Sequence, residues 1–163
     1  MKRLVNWCRM VSFIGVLICG YNAAACSISV RMSDSVPLNT WDISAEDRLK
    51  IANMVIEARQ WPDVQIRGII YAGAYVGEMN PEALSNKRAN AIESYLMLLG
   101  IKKENIWKDT RLIKKQDAFH NGRLSIEQIG ITLVPICENG CDRLCNDPRV
   151  TPNSKALGDK VRQ

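Results

Sequence analysis

The segment 80–101 constrains the fold of this chain more than any other, because it carries signals for both ends of a helix. Asn80 is a good N-cap, Pro81 suits the first helical position, and Gly100 stands where a left-handed C-terminal cap is expected. Apolar side chains recur between these ends at helical spacing, at Leu84, Ala91, Ile92, Tyr95, Leu98 and Leu99. The segment therefore predicts a helix with one buried face.

Arg88 interrupts that apolar face. It follows Leu84 by four residues and precedes Ile92 by four, so its side chain starts from the buried side of the helix. A cation in that position needs a partner, because burying an unpaired charge is costly. Two interpretations follow from the residues alone. Either the guanidinium reaches solvent or an internal carboxylate while its stem covers the edge of the core, or it faces a ligand.

The first 25 residues have the three parts of a secretory signal. The basic start has Lys2, Arg3 and Arg9, the apolar core spans 11–19, and small residues at 23–25 form a cleavage site. The apolar run is shorter than the ~20 residues that a membrane-spanning helix needs, and we expect no transmembrane segment after its removal. Residues 1–25 are therefore predicted to be a signal peptide, and the mature protein is predicted to be periplasmic.

Four cysteines, Cys26, Cys137, Cys141 and Cys145, remain after that cleavage. An even number in an exported chain favours two disulfides, and we predict that one of them joins Cys26 to a cysteine of the later trio. The spacing of the trio would also suit a metal, but no histidine lies in that segment, so we predict neither a metal site nor a cofactor. Cys26 directly follows the signal-like segment, so the alternative to pairing is lipidation of Cys26 in an outer-membrane lipoprotein.

The charge of the chain gives no sign of a nucleic-acid partner. Its formal net charge is +5, but the predicted signal carries three cations and no acid, which leaves +2 for the mature protein. The basic residues between 102 and 115 are interspersed with Glu104 and Asp109 and are not gathered with base-stacking aromatics. His120 is the only histidine, and no catalytic or phosphate-binding motif is present, so we predict that the protein is not an enzyme.

The remaining periodicities predict one α+β domain over residues 26–136. We expect strands at 28–32, 64–72, 105–108 and 124–134, and helices at 45–58 and 81–99. Ser44 is the expected N-cap of the first helix, a polar loop is expected at 109–122, and a bulge near Glu127 is expected in the last strand. This order predicts two helices packed on one face of a mixed sheet, with cysteine-linked termini. Residues 137–163 are expected to be a mobile tail apart from their cysteines.

The Arg88 helix also carries a family resemblance. Leu84-Ser-Asn-Lys-Arg-Ala89, followed by Tyr95-Leu96 and by Gly100-Ile101, resembles the LSxxRA…YLxxxGI signature of the peptidoglycan-binding domain of outer-membrane protein A (OmpA) and its flagellar-motor relative MotB. The resemblance extends more weakly to 64–68 and 129–134, so it covers roughly residues 28–135. It implies the same α+β architecture and non-covalent binding of peptidoglycan in the cell envelope.

The resemblance also implies a binding site. In the family, an aspartate in the loop after the second strand takes the ammonium group of a diaminopimelate side chain, and the arginine of LSxxRA takes its carboxylate. Arg88 matches that arginine, but the segment 68–77 has no acid, and Glu78 is the only carboxylate nearby. A pair of arginines that the family tends to carry is replaced by Glu127-Gln128. The candidate ligand-binding residues are Arg88, Glu78, Tyr71, Tyr75 and Asn80.

Two functions follow for the mature protein. The first is peptidoglycan association through Arg88, with Glu78 or a tyrosine in place of the missing aspartate. The alternative is a periplasmic protein-interaction domain, such as an adaptor, an inhibitor or an immunity protein, that reuses the fold without binding peptidoglycan. Glu78 projecting into the Arg88 pocket would favour peptidoglycan, whereas an Arg88 sealed by a structural acid would favour the interaction domain.

Overall fold

A computed structural model describes residues 26–120, 123–124, 127–138 and 140–155. The predicted signal peptide and residues 156–163 lie outside this part of the chain, so the signal peptide stays a prediction. One compact unit spans Cys26–Ser154. No helix within the described residues is long and apolar enough to cross a membrane.

The main sheet has four strands and is mixed. The strands of the chain are β1 (Cys26–Ser27), β2 (Val30–Asp34), β3 (Gln65–Tyr75), β4 (Ile106–Ile113), β5 (Phe119–His120), β6 (Arg123–Leu124), β7 (Ile129–Ile136) and β8 (Ser154–Lys155). The sheet order is β2-β7-β3-β4, in which β4 runs parallel to β3 and the other neighbours are antiparallel. β5 and β6 form a separate antiparallel pair.

Two long helices cover one face of this sheet. The helices are α1 (Ala45–Ala58), α2 (Pro81–Leu98), α3 (Lys115–Ala118) and α4 (Asp142–Cys145), and a 3₁₀ turn spans Lys103–Asn105. Alternate residues of β3 and β7, such as Ile70 and Ile131, are buried in one core with Ile51 of α1 and Ile92 of α2. The α+β architecture predicted from the sequence is confirmed. The opposite face of the sheet carries the other residues of each alternation, which are only partly buried.

The ends of both long helices follow from local chemistry, as predicted. The side chain of Ser44 accepts a hydrogen bond from the backbone N–H of Asp47, which satisfies a free donor in the first turn of α1. Asn80 does the same for the N–H of Ala83 at the start of α2. Gly100 has φ +86° and ends α2, because a left-handed residue turns the chain out of the helix.

Several strand boundaries differ from the prediction, since β2 begins and ends two residues later and β3 and β7 end three and two residues later. The largest differences are in β4 and at the start of β7. β4 continues to Ile113, whereas a loop was expected from Asp109. β4 is an edge strand whose residues 107–112 are all exposed, so it lacks the hydrophobic signal of a central strand. β7 begins only at Ile129, and Gln128 just before it connects neighbouring segments. Its side chain accepts from the N–H of Val36, and its carbonyl accepts from the N–H of Gly73.

Both predicted disulfides are present, as Cys26–Cys145 and Cys137–Cys141. The first joins β1 to α4 and confirms the predicted link between the two ends of the domain. The sequence predicts a domain end at 136 and a mobile tail, but Leu144 and Val150 are buried in the main core. Single apolar residues held near a disulfide give no periodicity, which is why the sequence pattern does not reveal this packing.

The two disulfides should differ in their effect on stability. Replacing Cys26 and Cys145 by Ser opens a loop with a sequence separation of 119, whereas replacing Cys137 and Cys141 opens one of 4. The chain-entropy model predicts losses of about 4–5 and about 2 kcal/mol in the free energy of unfolding. Urea unfolding of the oxidised mature chain at pH 7 measures both. Equal losses would contradict the prediction, as would peptide mapping that found Cys26 free.

Candidate functional site

Helix α2 carries Arg88 into the interior of the domain. The residues one turn before and after it, Leu84 and Ile92, are both buried, and Arg88 itself is only 1% exposed. It is the largest side chain with less than 2% exposure within the described residues. The helical spacing that made Arg88 an anomaly in the sequence therefore places its guanidinium beneath the surface, where every N–H needs an acceptor.

The guanidinium of Arg88 is held by three separate segments. Its Nη2 and Nη1 donate to the two carboxylate oxygens of Glu78 at 2.6 Å and 3.1 Å, which is a bidentate pair. Nη1 also donates to the carbonyl of Gly73 in β3 at 2.8 Å. Nε donates to the carbonyl of Thr40, in the loop before α1, at 2.8 Å. Arg88 thus joins α2 to the end of β3, to the loop that contains Thr40 and to the loop that contains Glu78.

The carboxylate of Glu78 is just as completely engaged. Besides Arg88, its Oε1 accepts from the backbone N–H of Asn39 and its Oε2 from that of Tyr75, both at 2.7 Å. Burial alone would raise the pKa of Glu78, but the hydrogen bonds from Arg88 and from these two backbone groups outweigh it and hold the pKa below its ordinary value. Glu78 is therefore ionised at neutral pH.

Asn39 joins the two loops that cover the ion pair. While its backbone N–H donates to Glu78, its side-chain oxygen accepts from the N–H of Met79 at 2.7 Å. Asn39 has φ +62°, a left-handed conformation that asparagine tolerates better than most residues. The loop 36–43 is thereby fixed to the loop 76–79, and the two loops together exclude solvent from Arg88.

The five predicted ligand residues do not form one open pocket. Arg88 and Glu78 contact each other directly, and Tyr75 reaches them through its backbone N–H. Asn80 has its side chain engaged as the N-cap of α2. Tyr71 lies on the opposite face of the sheet, where its ring is 5.7 Å from the guanidinium carbon of Arg111. A ligand-binding role for this set stays a prediction.

Sequence reasoning placed Glu78 beside Arg88 as a ligand-binding residue, and it missed the other acceptors of Arg88. Thr40 precedes Arg88 by 48 residues, and its contribution is a backbone carbonyl, which carries no residue-type signal. Gly73 likewise contributes a carbonyl. The only local hint is the turn-forming sequence around Pro37 and Asn39, where the N–H of Thr40 donates to the carbonyl of Pro37.

Four large apolar side chains of the two covering loops are exposed. We call them the loop patch, made of Leu38, Trp41, Val76 and Met79, whose exposed fractions are 46%, 50%, 45% and 76%. The hydrogen bonds of Asn39 to Glu78 and Met79 bring the two loops side by side. Within the described residues no group of three His, Cys, Asp or Glu side chains is placed to hold a metal ion.

Comparisons with known proteins identify the fold. No protein-family model matches the sequence, and no curated protein matches it significantly. The OmpA-like domain of FopA1 from Francisella tularensis subsp. tularensis SCHU S4 superposes with a TM-score of 0.50 at 20% identity, covering 69% of this chain and 79% of that one. The C-terminal domain of Helicobacter pylori MotB gives a TM-score of 0.47 at 10% identity, over 71% and 91% of the two chains. By the similarity to the FopA1 domain, the chain has an OmpA-like fold.

Proposed function

We propose that this chain is an extracytoplasmic OmpA-like module that binds a protein partner, and that Arg88 stabilises its fold instead of binding peptidoglycan. The observation that supports this proposal is the sealed ion pair. Glu78 does project into the Arg88 pocket, but it fills that pocket, and its two oxygens accept hydrogen bonds from Arg88, Asn39 and Tyr75.

The energetics of exchange favour the internal pair over a ligand. The family resemblance implies that the arginine takes a carboxylate from peptidoglycan, and here Glu78 already supplies a carboxylate in bidentate geometry. A ligand would have to separate two buried charges, which costs about 3–5 kcal/mol. A ligand carboxylate would restore only the contact with Arg88, and the displaced Glu78 and the N–H groups of Asn39 and Tyr75 would lose their hydrogen bonds. Ligand carboxylates should therefore not displace Glu78.

Two further features support an exported protein-interaction domain. The loop patch exposes four large apolar side chains on adjoining loops, and clustered apolar exposure is typical of protein-binding surfaces. Two disulfides are typical of chains that fold outside the reducing cytoplasm. A signal peptide at residues 1–25 and a periplasmic location are parts of this proposal. Peptidoglycan association, the first function inferred from the sequence, is the competing proposal and requires the loop with Glu78 to open.

Co-sedimentation with purified peptidoglycan sacculi tests the proposal directly. We expect the wild-type mature chain to stay in the supernatant at low and at physiological salt, because Arg88 is only 1% exposed and is paired with Glu78. An OmpA-like domain that carries the family aspartate is the positive control and must pellet. Saturable pelleting of the wild-type chain would overturn the proposal and establish peptidoglycan association.

A double-mutant cycle tests the structural role of the pair. Arg88→Leu and Glu78→Leu should each lower the free energy of unfolding by about 3–5 kcal/mol, since each leaves one buried charge unpaired. The double variant should be more stable than either single variant, because it leaves no unpaired charge. Urea denaturation at pH 7 measures the three losses. Additive losses would show that the two side chains do not act as a pair.

The lowered pKa of Glu78 predicts how the pair responds to acid. A carboxyl group with a lowered folded-state pKa contributes its full stability above its ordinary value of 4.5, and that contribution is lost as the pH falls through the folded-state pKa. Wild-type stability should therefore fall below about pH 4.5. The Arg88→Leu, Glu78→Leu double variant should lose less over the same range. Parallel pH profiles for the two proteins would contradict this assignment.

A further inference from the structure

The face of the sheet opposite the helices carries a second set of side chains that the Arg88 site does not use. We call it the open sheet face, defined by Arg31, Arg67, Ile69, Tyr71, Trp107 and Arg111. Strand register places Arg31 beside Thr132, Thr132 beside Ile69, and Ile69 beside Trp107, so one row of side chains crosses all four strands. Trp107 is 54% exposed, although tryptophan is a costly residue to leave in solvent.

Arginine and aromatic side chains are stacked on this face. The guanidinium carbon of Arg67 lies 4.1 Å from the ring centre of Trp107, and that of Arg111 lies 5.7 Å from the ring centre of Tyr71. Arg111 is neutralised by Asp109, whose carboxylate accepts its hydrogen bond at 2.5 Å. Stacking holds a guanidinium flat and pre-organised, so that its edge can donate to a planar acceptor.

Two arginines of the open sheet face lack a carboxylate among the described residues. The guanidinium of Arg67 makes no hydrogen bond or ion pair there, and its Nε is buried without an acceptor. Arg31 is exposed and likewise forms no side-chain hydrogen bond or ion pair within the same part of the chain. Asp109 pairs with Arg111, and Glu127 is the other carboxylate that acts on Tyr71 of this face, so three arginines stand against two acids and the face keeps a net positive charge.

A groove runs beside these cations. It has a volume of about 490 Å³, and Arg31, Ile69, Tyr71 and Thr132 line it. Gly130 shares this lining, and a Cβ there would come within 3.5 Å of the Cβ of Tyr71, so the missing side chain keeps the groove open next to the tyrosine ring. The volume falls within the range of about 300–1,000 Å³ that is usual for binding clefts.

We propose that the open sheet face binds an acidic segment of a protein partner. The carboxylates of the segment pair with Arg31 and Arg67, and an apolar or aromatic side chain enters the groove beside Tyr71. Arginine and tryptophan are the residues that most often dominate protein interfaces. A lipid surface fits less well, because the guanidinium of Arg67 covers one side of the Trp107 indole that would insert among headgroups. This inference rests on the proposed protein-binding function and adds the surface and the charge of the partner.

Fluorescence anisotropy with a fluorescein-labelled random copolymer of glutamate and tyrosine tests the inference on the oxidised mature chain. We expect binding that weakens with salt. Arg31→Glu and Arg67→Ala should each weaken it by about tenfold or more, as expected for loss of a charge-assisted contact. Arg143→Glu is the matched control for Arg31→Glu, because Arg143 is 70% exposed on α4 and pairs only with Asp63 among the described residues. It should bind as the wild type does.

The possible outcomes separate this inference from the proposed function. Thermal melting first confirms that each variant is folded. If Arg67→Ala does not fold, the test uses Arg31→Glu alone. A wild-type chain that ignores the copolymer, or variants that bind it unchanged, would overturn the inference while leaving the sacculus result as it stands. Equal binding to phosphatidylglycerol vesicles, lost in the same variants, would replace the acidic protein with a lipid surface. Pelleting with sacculi while copolymer binding persists would overturn the proposed function alone.

Discussion

The bidentate contact between Arg88 and Glu78 is the interaction on which this end of the domain depends. It joins α2, the end of β3 and two loops that are distant in sequence, and backbone groups of Thr40, Gly73, Asn39 and Tyr75 complete its hydrogen bonds. A leucine pair would fill similar space without the cost of desolvating two charges. The ion pair, however, holds both loops through directed hydrogen bonds, which a leucine pair would not make.

The same contact changes what the fold offers to other molecules. The OmpA-like resemblance assigns Arg88 to a ligand. In this chain the charge of Arg88 is neutralised by a carboxylate of the chain itself, that of Glu78. Under the proposed function, recognition comes from surfaces outside the pair. The loop patch is apolar, whereas the open sheet face combines two unneutralised arginines with exposed aromatic rings. These surfaces differ in chemistry and are built from different elements, so they suit different kinds of contact.

The sequence predicts features that depend on neighbours in the chain and misses those that depend on packing. Ser44, Asn80 and Gly100 mark helix ends through hydrogen bonds within one turn, and the structure confirms all three. Glu78 could be placed near Arg88, as a ligand-binding residue, because it is the only carboxylate in the adjoining loop. The contact with Thr40 could not be predicted, since every residue has a backbone carbonyl and the sequence does not show which one accepts. The predicted length of edge strand β4 is too short, because its exposed residues show no alternation of buried and exposed positions.

The disulfide of Cys26 also bears on the predicted alternative, which is lipidation of that residue. Lipidation of a bacterial lipoprotein forms a thioether on the sulfur of the first mature cysteine, and a sulfur bonded to Cys145 has no valence left for that bond. The closed fold and a lipid anchor at Cys26 therefore exclude each other on the same atom. In its oxidised form the protein therefore carries no diacylglycerol on the sulfur of Cys26.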